Sequence, residues 1–265
     1  VMLVPFSERL DAELILPEET DALVGAFQYL QRQRYIDPGR VGYIGVSVGA
    51  SLALIAAADA RLRDDVRFVV SFGGYYDALD TFVALASRRI SYDGLDEPWT
   101  PRTHSIKVMA RQFIHELDSP YDRDLLTTAF VNRKPVTAAQ VEGLTPTGRA
   151  VYDFMNSAGD PEGARRLIAR LPPDAVATLE AMSPSRVAAN IRAEVFIVHD
   201  RGDEFIPYVE SRRLRDALEG RPRLHFDEVR FFQHVEPRLN QRSDVLVMDG
   251  VRLIFRLYQI LLRLT

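Results

Sequence analysis

Hydrophobic positions are written along this chain in two ways. Near both ends they come as short continuous runs, whereas through the middle they recur at helical spacing. Val1-Met2-Leu3-Val4-Pro5 is expected to form a short buried strand. Leu23, Ala26, Phe27 and Leu30 share one helical face between Pro17 and Gln33, and Asp37-Pro38-Gly39 closes that unit with a turn. Val41 to Val46 and Phe68 to Phe72 are apolar runs separated by the alanine-rich stretch Leu52 to Ala60. Strands apolar on both faces that alternate with helices predict an α/β fold, a mostly parallel sheet flanked by helices.

From Ala78 to Asn190 the strand rhythm disappears. Ile106, Met109, Ala110, Phe113 and Leu117 fall at helical spacing, as do Ala150, Val151, Phe154 and Met155. Asp160-Pro161 is a cap and first turn for a helix reaching Leu171, which Pro172-Pro173-Asp174 breaks. Ser91 to Ser105 reads as irregular and holds the only tryptophan, Trp99. The sheet resumes at Val195 to Val198. A helix from Tyr208 to Leu218 follows, stopped by Gly220, then a strand from Leu224 to Phe231. The stretch from Val245 to Leu264 is broken by Asp249, Arg252, Arg256 and Arg263, so it is expected to be an amphipathic helix packed on the core. The predicted organisation is a core from 1–77 and 191–265 with a helical cap, 78–190, inserted between two strands.

Composition narrows the function. A chain of 265 residues with 47% hydrophobic content can bury a sizeable core. A net charge of −4 argues against a nucleic-acid or anionic-membrane surface. The absence of cysteine excludes disulfides, thiol catalysis and cysteine-ligated metal. No signal peptide or uninterrupted membrane-length run appears, so the expected location is the cytoplasm. His104 and His115 have no ligand-spaced partner, so no metal site is expected. Gly42, Gly45 and Gly49 match neither a dinucleotide fingerprint nor a P-loop.

The chemistry concentrates at Gly45-Val46-Ser47-Val48-Gly49, an apolar strand running through Gly-x-Ser-x-Gly into a small-residue helix. So tight a strand–turn–helix forces Ser47 into a strained conformation that lifts its hydroxyl clear of the sheet. Gly45 and Gly49 are expected to be glycines because a side chain there would strike a neighbour. A serine needs a base and a group to orient that base. Candidates for the acid are Asp203, Asp200 and Asp77; for the base, His234 or His225. Alternation leaves His225 inside a strand, and both His225 and His199 read as satisfied structural histidines. Ser47, Asp203 and His234 each follow a strand end, where open parallel sheets gather ligands. Tyr75, Tyr76 and Trp99 are candidates for lining an acyl pocket.

Arg40-Val41-Gly42-Tyr43-Ile44-Gly45-Val46-Ser47-Val48-Gly49-Ala50 resembles the nucleophile elbow of the α/β-hydrolases, specifically the bacterial dienelactone-hydrolase and esterase-like type. Val198-His199-Asp200-Arg201-Gly202-Asp203-Glu204-Phe205-Ile206-Pro207 is similar to the segment that carries the acid of that family, although some relatives use the position of Asp77. Gln233-His234 falls where its histidine follows the last strand. The resemblance implies a serine hydrolase of carboxylic esters or related acyl bonds with a Ser47–His234–Asp203 triad. It implies a small-molecule acyl substrate and no metal or organic cofactor. Val48 N–H would be one oxyanion donor. The second belongs to a segment preceding the family strand that Val1 to Pro5 matches, so the chain is expected to be N-terminally incomplete; in a reduced form, Phe6 or Ser7 would supply that donor. An amidase, peptidase or acyltransferase on the same triad, or a non-catalytic binding module, are the rival readings; the oligomeric state is not readable.

Overall fold

The computed structural model describes residues 1–230, 232–234, 236, 237 and 243–264. The chain forms two compact units, one of Val1–Phe6, Pro17–Asp77 and Met182–Thr265, the other of Ser7–Leu16 and Ala78–Ala181. The strands in chain order are β1 (Tyr43–Val46), β2 (Phe68–Phe72), β3 (Arg89–Tyr92), β4 (Leu95–Pro98), β5 (Glu194–Asp200), β6 (Leu224–Val229), β7 (Phe232–Gln233) and β8 (Glu236–Pro237).

In the first unit β1, β2, β5 and β6 lie side by side in that order, all parallel. Val46 pairs with Phe72 and Phe72 with Val198, so β1 and β2 end level and β5 runs two residues further, to Asp200, in the same direction. Whatever follows each strand is therefore delivered to one edge of the sheet. The helix Val48–Ala58 is buried continuously from Ala50 to Ala58, because its alanines let the backbone approach the sheet closely. Helix Glu18–Gln31 covers it through Val24 and Phe27, which join Leu54, Leu62, Val69, Val195 and Ile197 in one core. Each such large side chain contributes about 1.5–3 kcal/mol by leaving water.

One expectation is corrected here and another narrowed. Val1 to Pro5 is not a buried strand: the segment has no strand pairing, and Val1, Met2 and Val4 are 89%, 82% and 72% exposed. An apolar run becomes a strand only where a ladder accepts it, and no described strand lies against it. The C-terminal helix, Ser243–Leu264, does form and packs on the core through Ile260, which is buried against Phe68, Val70 and Phe196, but most of its apolar residues do not follow it there. Arg256 binds Asp227 at 2.5 Å, Arg263 binds Glu194 at 2.7 Å, and Asp249 accepts the Arg230 N–H. Met248, Val251, Ile254, Phe255 and Tyr258 stay exposed. The carboxylates of β5 and β6 on that side hold two of its arginines beside Ile260. The end of the last strand is Val229 rather than Phe231, and Phe231, like Val235, lies outside the described residues.

The second unit is helical, with Ala78–Ser87, Thr103–His115 and Pro146–Met155 packed through Phe82, Phe113 and Phe154. Phe113 sits edge-on to both neighbours, at 5.6 and 5.4 Å between ring centroids. Ser119, Thr145 and Asp160 each cap a helix that opens with proline. The strand rhythm does not vanish entirely: β3 and β4 form an antiparallel hairpin within the stretch that reads as irregular. Its two-residue turn, Asp93-Gly94, has φ of +47° and +78°, the geometry that matches the twist of a hairpin. No described helix is long and apolar enough to cross a membrane.

Candidate active site

Ser47 has φ 56° and ψ −133°, a region that side-chain-bearing residues rarely enter. Two backbone bonds hold it there. Its N–H donates to the Phe72 carbonyl at 2.8 Å, and its carbonyl accepts from Ala50 N–H at 2.9 Å. Gly45 is required, since a Cβ there would lie 2.4 Å from Ala50 Cα and from the Gly49 carbonyl oxygen. Gly49 is not: a Cβ would meet nothing within 4 Å, which corrects the expectation of a clash. Ser47 is half-buried, and its hydroxyl has no hydrogen-bond partner among the described residues. Val48, which follows it, is the first residue of an 11-residue helix, so its N–H is one of the donors a helix start leaves unpaired.

Asp203 sits in the loop after β5 and is almost completely buried. Its Oδ1 accepts the N–H groups of Phe205 at 2.7 Å and Ile206 at 3.1 Å. Its Oδ2 faces His234 Nδ1 at 2.7 Å and His199 Nε2 at 3.3 Å. Burial pushes this carboxyl up, but hydrogen bonds from His199 and His234 outweigh burial and hold it well below the usual carboxylate range. With Nδ1–H donating to the carboxylate, the neutral His234 ring keeps Nε2 free to accept a proton. His234 follows β7 with φ +61°, and its ring stacks on Phe205 at 4.7 Å between centroids.

The corner at the end of β2 joins the two halves of the site. Phe72 accepts the Ser47 N–H, and a Cβ on the next residue, Gly73 (φ +63°), would lie 3.4 Å from His234 Nδ1 and 3.5 Å from Asp203 Oδ2. Glycine lets the His234–Asp203 pair close onto the strand end that carries Ser47's partner.

The other candidates go elsewhere. Asp77 accepts from Ser185 Oγ at 2.7 Å. Asp200 accepts the N–H groups of Gly202 at 2.5 Å and Phe232 at 2.7 Å, thereby tethering both the Asp203 loop and the strand leading into His234. Burial pushes its carboxyl up. His225 stays within β6, bonded to Glu194 at 2.8 Å and stacked on Phe196. Tyr75 is buried, and its N–H and carbonyl both engage Ser51 Oγ. Tyr76 is half-buried, with its N–H on Glu210, whereas Trp99 belongs to the second unit.

His199 is satisfied, as a core histidine should be, but one of its partners is Asp203, the carboxylate that also holds His234. Nε2 lies 3.1 Å from the Ile206 carbonyl, which only accepts, so Nε2 carries the proton and points it at Asp203 as well. Nδ1 then accepts from Ser211 Oγ at 2.5 Å. The i,i+4 spacing of His199 and Asp203 is visible in the sequence, but its position at the end of an all-buried strand makes His199 read as packing. Among the described residues no group of three or more histidines, aspartates or glutamates is arranged to hold a metal ion.

The chain matches no family model and no curated protein. Among solved structures it is similar to a meta-cleavage product hydrolase from Pseudomonas fluorescens, with 16% identity and a TM-score of 0.41, covering 92% of this chain and 73% of that one. A Pyrococcus furiosus esterase gives 12% identity and a TM-score of 0.45, covering 93% and 62%. A puromycin-hydrolyzing peptidase from Mycobacterium tuberculosis gives 16% and 0.44, covering 89% of this chain and 25% of that one.

Proposed function

We propose that this chain is a serine hydrolase of the α/β-hydrolase type, cleaving a carboxylic ester or related acyl bond of a small molecule. The observation that carries the reading is the corner Phe72–Gly73, which accepts the Ser47 N–H and lies against the His234–Asp203 pair. In this reading Ser47 Oγ attacks the acyl carbon while His234 Nε2 takes its proton and returns it to the leaving group. Asp203 holds the imidazole in the required tautomer and stabilises its charged form. Val48 N–H donates to the developing oxyanion, where one such donor is typically worth about 10²–10³ in rate. Water then releases the acyl-enzyme by the same route in reverse. The helical stretch 78–190 is assigned as the cap on its place in the chain alone.

The test is labelling by a fluorophosphonate, which needs an activated serine but no knowledge of the substrate. A single adduct is expected on Ser47, located by mass spectrometry and lost in Ser47→Ala and His234→Ala. Turnover of an ester panel should fall by roughly a thousandfold or more in either variant. Absence of any adduct in a folded wild-type chain removes the hydrolase reading. An amide panel run beside the esters separates the peptidase alternative from the esterase.

A further inference from the structure

The second unit contains a pocket of about 460 Å³ that holds none of the residues above. Arg88, Arg133 and Lys134 line it together with Thr103, Ile106 and Phe130, and no carboxylate does. Three cations without a counter-ion are unusual in a chain that carries more acids than bases, 37 against 33. Among the described residues none of the three forms a salt bridge; Arg133 reaches only the Thr103 hydroxyl, at 3.5 Å. One guanidinium nitrogen of Arg88 is buried with no hydrogen-bond partner at all. A buried donor left unmade is costly, so Arg88 is held beside the pocket with its charge uncompensated.

The backbone around the pocket is shaped for a purpose other than packing. Arg88 and Arg133 have φ of +60° and +55°, the left-handed region that residues with side chains enter at a cost of about 1–3 kcal/mol. Phe130 lies in a π-helical turn, Thr127–Val131, a local irregularity that recurs at functional sites. Thr103 opens a 13-residue helix with no side-chain cap, so its unpaired first-turn N–H groups add positive potential. Burial pushes the Arg88 guanidinium down from its ordinary value, as expected of a cation held without a partner.

We infer that this pocket binds a small organic anion, an oxyanion such as a carboxylate or phosphate on a short apolar body. The head group would sit between Arg88, Arg133 and Lys134, with the body against Ile106 and Phe130. Guanidinium pairs suit a planar carboxylate or a phosphate, and the half-apolar lining supplies the rest. This site is independent of the hydrolase reading.

Equilibrium dialysis of the full chain tests it with labelled benzoate, phenyl phosphate and the neutral benzamide. Saturable one-site binding of either anion is expected, weakening as salt is raised, with benzamide at least about tenfold weaker. Arg133→Gln and Lys134→Gln should each weaken anion binding by about threefold to tenfold, and Arg88→Gln by tenfold or more, with Ser47 labelling unchanged. Benzoate bound more tightly than phenyl phosphate identifies a carboxylate pocket; the reverse identifies a phosphate pocket. The proposal fails if neither anion binds up to about 10 mM. It fails equally if benzamide matches the anions, or if Arg133→Gln and Lys134→Gln retain wild-type affinity. Those two exposed residues decide the matter even if Arg88→Gln does not fold.

Discussion

Asp203 collects at least four donors on two oxygens, among them two backbone N–H groups and two imidazoles. Asp203→Asn supplies an N–H where one of those donors points, so turnover is expected to fall by about 10³–10⁴ while the fold persists. In the proposed reaction His199 would act only through that carboxylate, as a positioning residue. Because the folded Asp203 carboxyl lies below its unfolded value, near 3.9, its contribution to stability is complete above that pH and is lost as pH falls towards the folded value. His199→Gln removes a donor that lowers the carboxyl while burial stays, so part of that contribution disappears. Its destabilisation should therefore be fully present above about pH 4 and fade only as pH falls through the folded value of Asp203, measured by denaturant unfolding. The sequence offers three acids after strands, and nothing in spacing separates them; only the bond from Asp203 to His234, with Asp77 turned to Ser185 and Asp200 to two N–H groups, does so.

The tightest element is the strand–turn–helix from Tyr43 to Ala58. Its two glycines are predicted to behave oppositely. Gly45→Ala drives a methyl into backbone and should cost about 2–4 kcal/mol, with a large drop in Tm. Gly49→Ala enters open space in the helix and should be neutral or stabilising by up to about 1 kcal/mol. Asp200→Ala releases the Gly202 and Phe232 amides together. A loss of about 1–3 kcal/mol is expected, with kcat falling more than KM rises because the His234 segment loses its tether. Elements with both a period and a punctuation mark were the legible ones: continuous apolar strands, and the helix opened by Asp160-Pro161. The β3–β4 hairpin carried its own signal in Asp93-Gly94, but only four residues stand on each side, too few to show alternation clearly.

At the scale of the whole chain, a parallel sheet announces itself because both of its faces must be apolar, and β2 and β5 are buried from end to end or nearly so. Where a face has no such demand, the sequence is ambiguous. The helix Ser243–Leu264 has apolar residues and a set of arginines, and both meet the sheet: Ile260 joins Phe68, Val70 and Phe196 while Arg256 and Arg263 bind Asp227 and Glu194, which leaves the rest of the apolar residues outward. Ile254→Gln and Tyr258→Gln should accordingly change unfolding free energy by less than about 0.5 kcal/mol, since both side chains are exposed.

The backbone of Ser47 has a consequence for how such a chain would evolve. At φ 56° and ψ −133° a glycine is at ease where serine is strained, by about 1–3 kcal/mol. A library sorted only for resistance to heat should therefore drift from serine to glycine at position 47, gaining Tm and losing the proposed nucleophile in the same step.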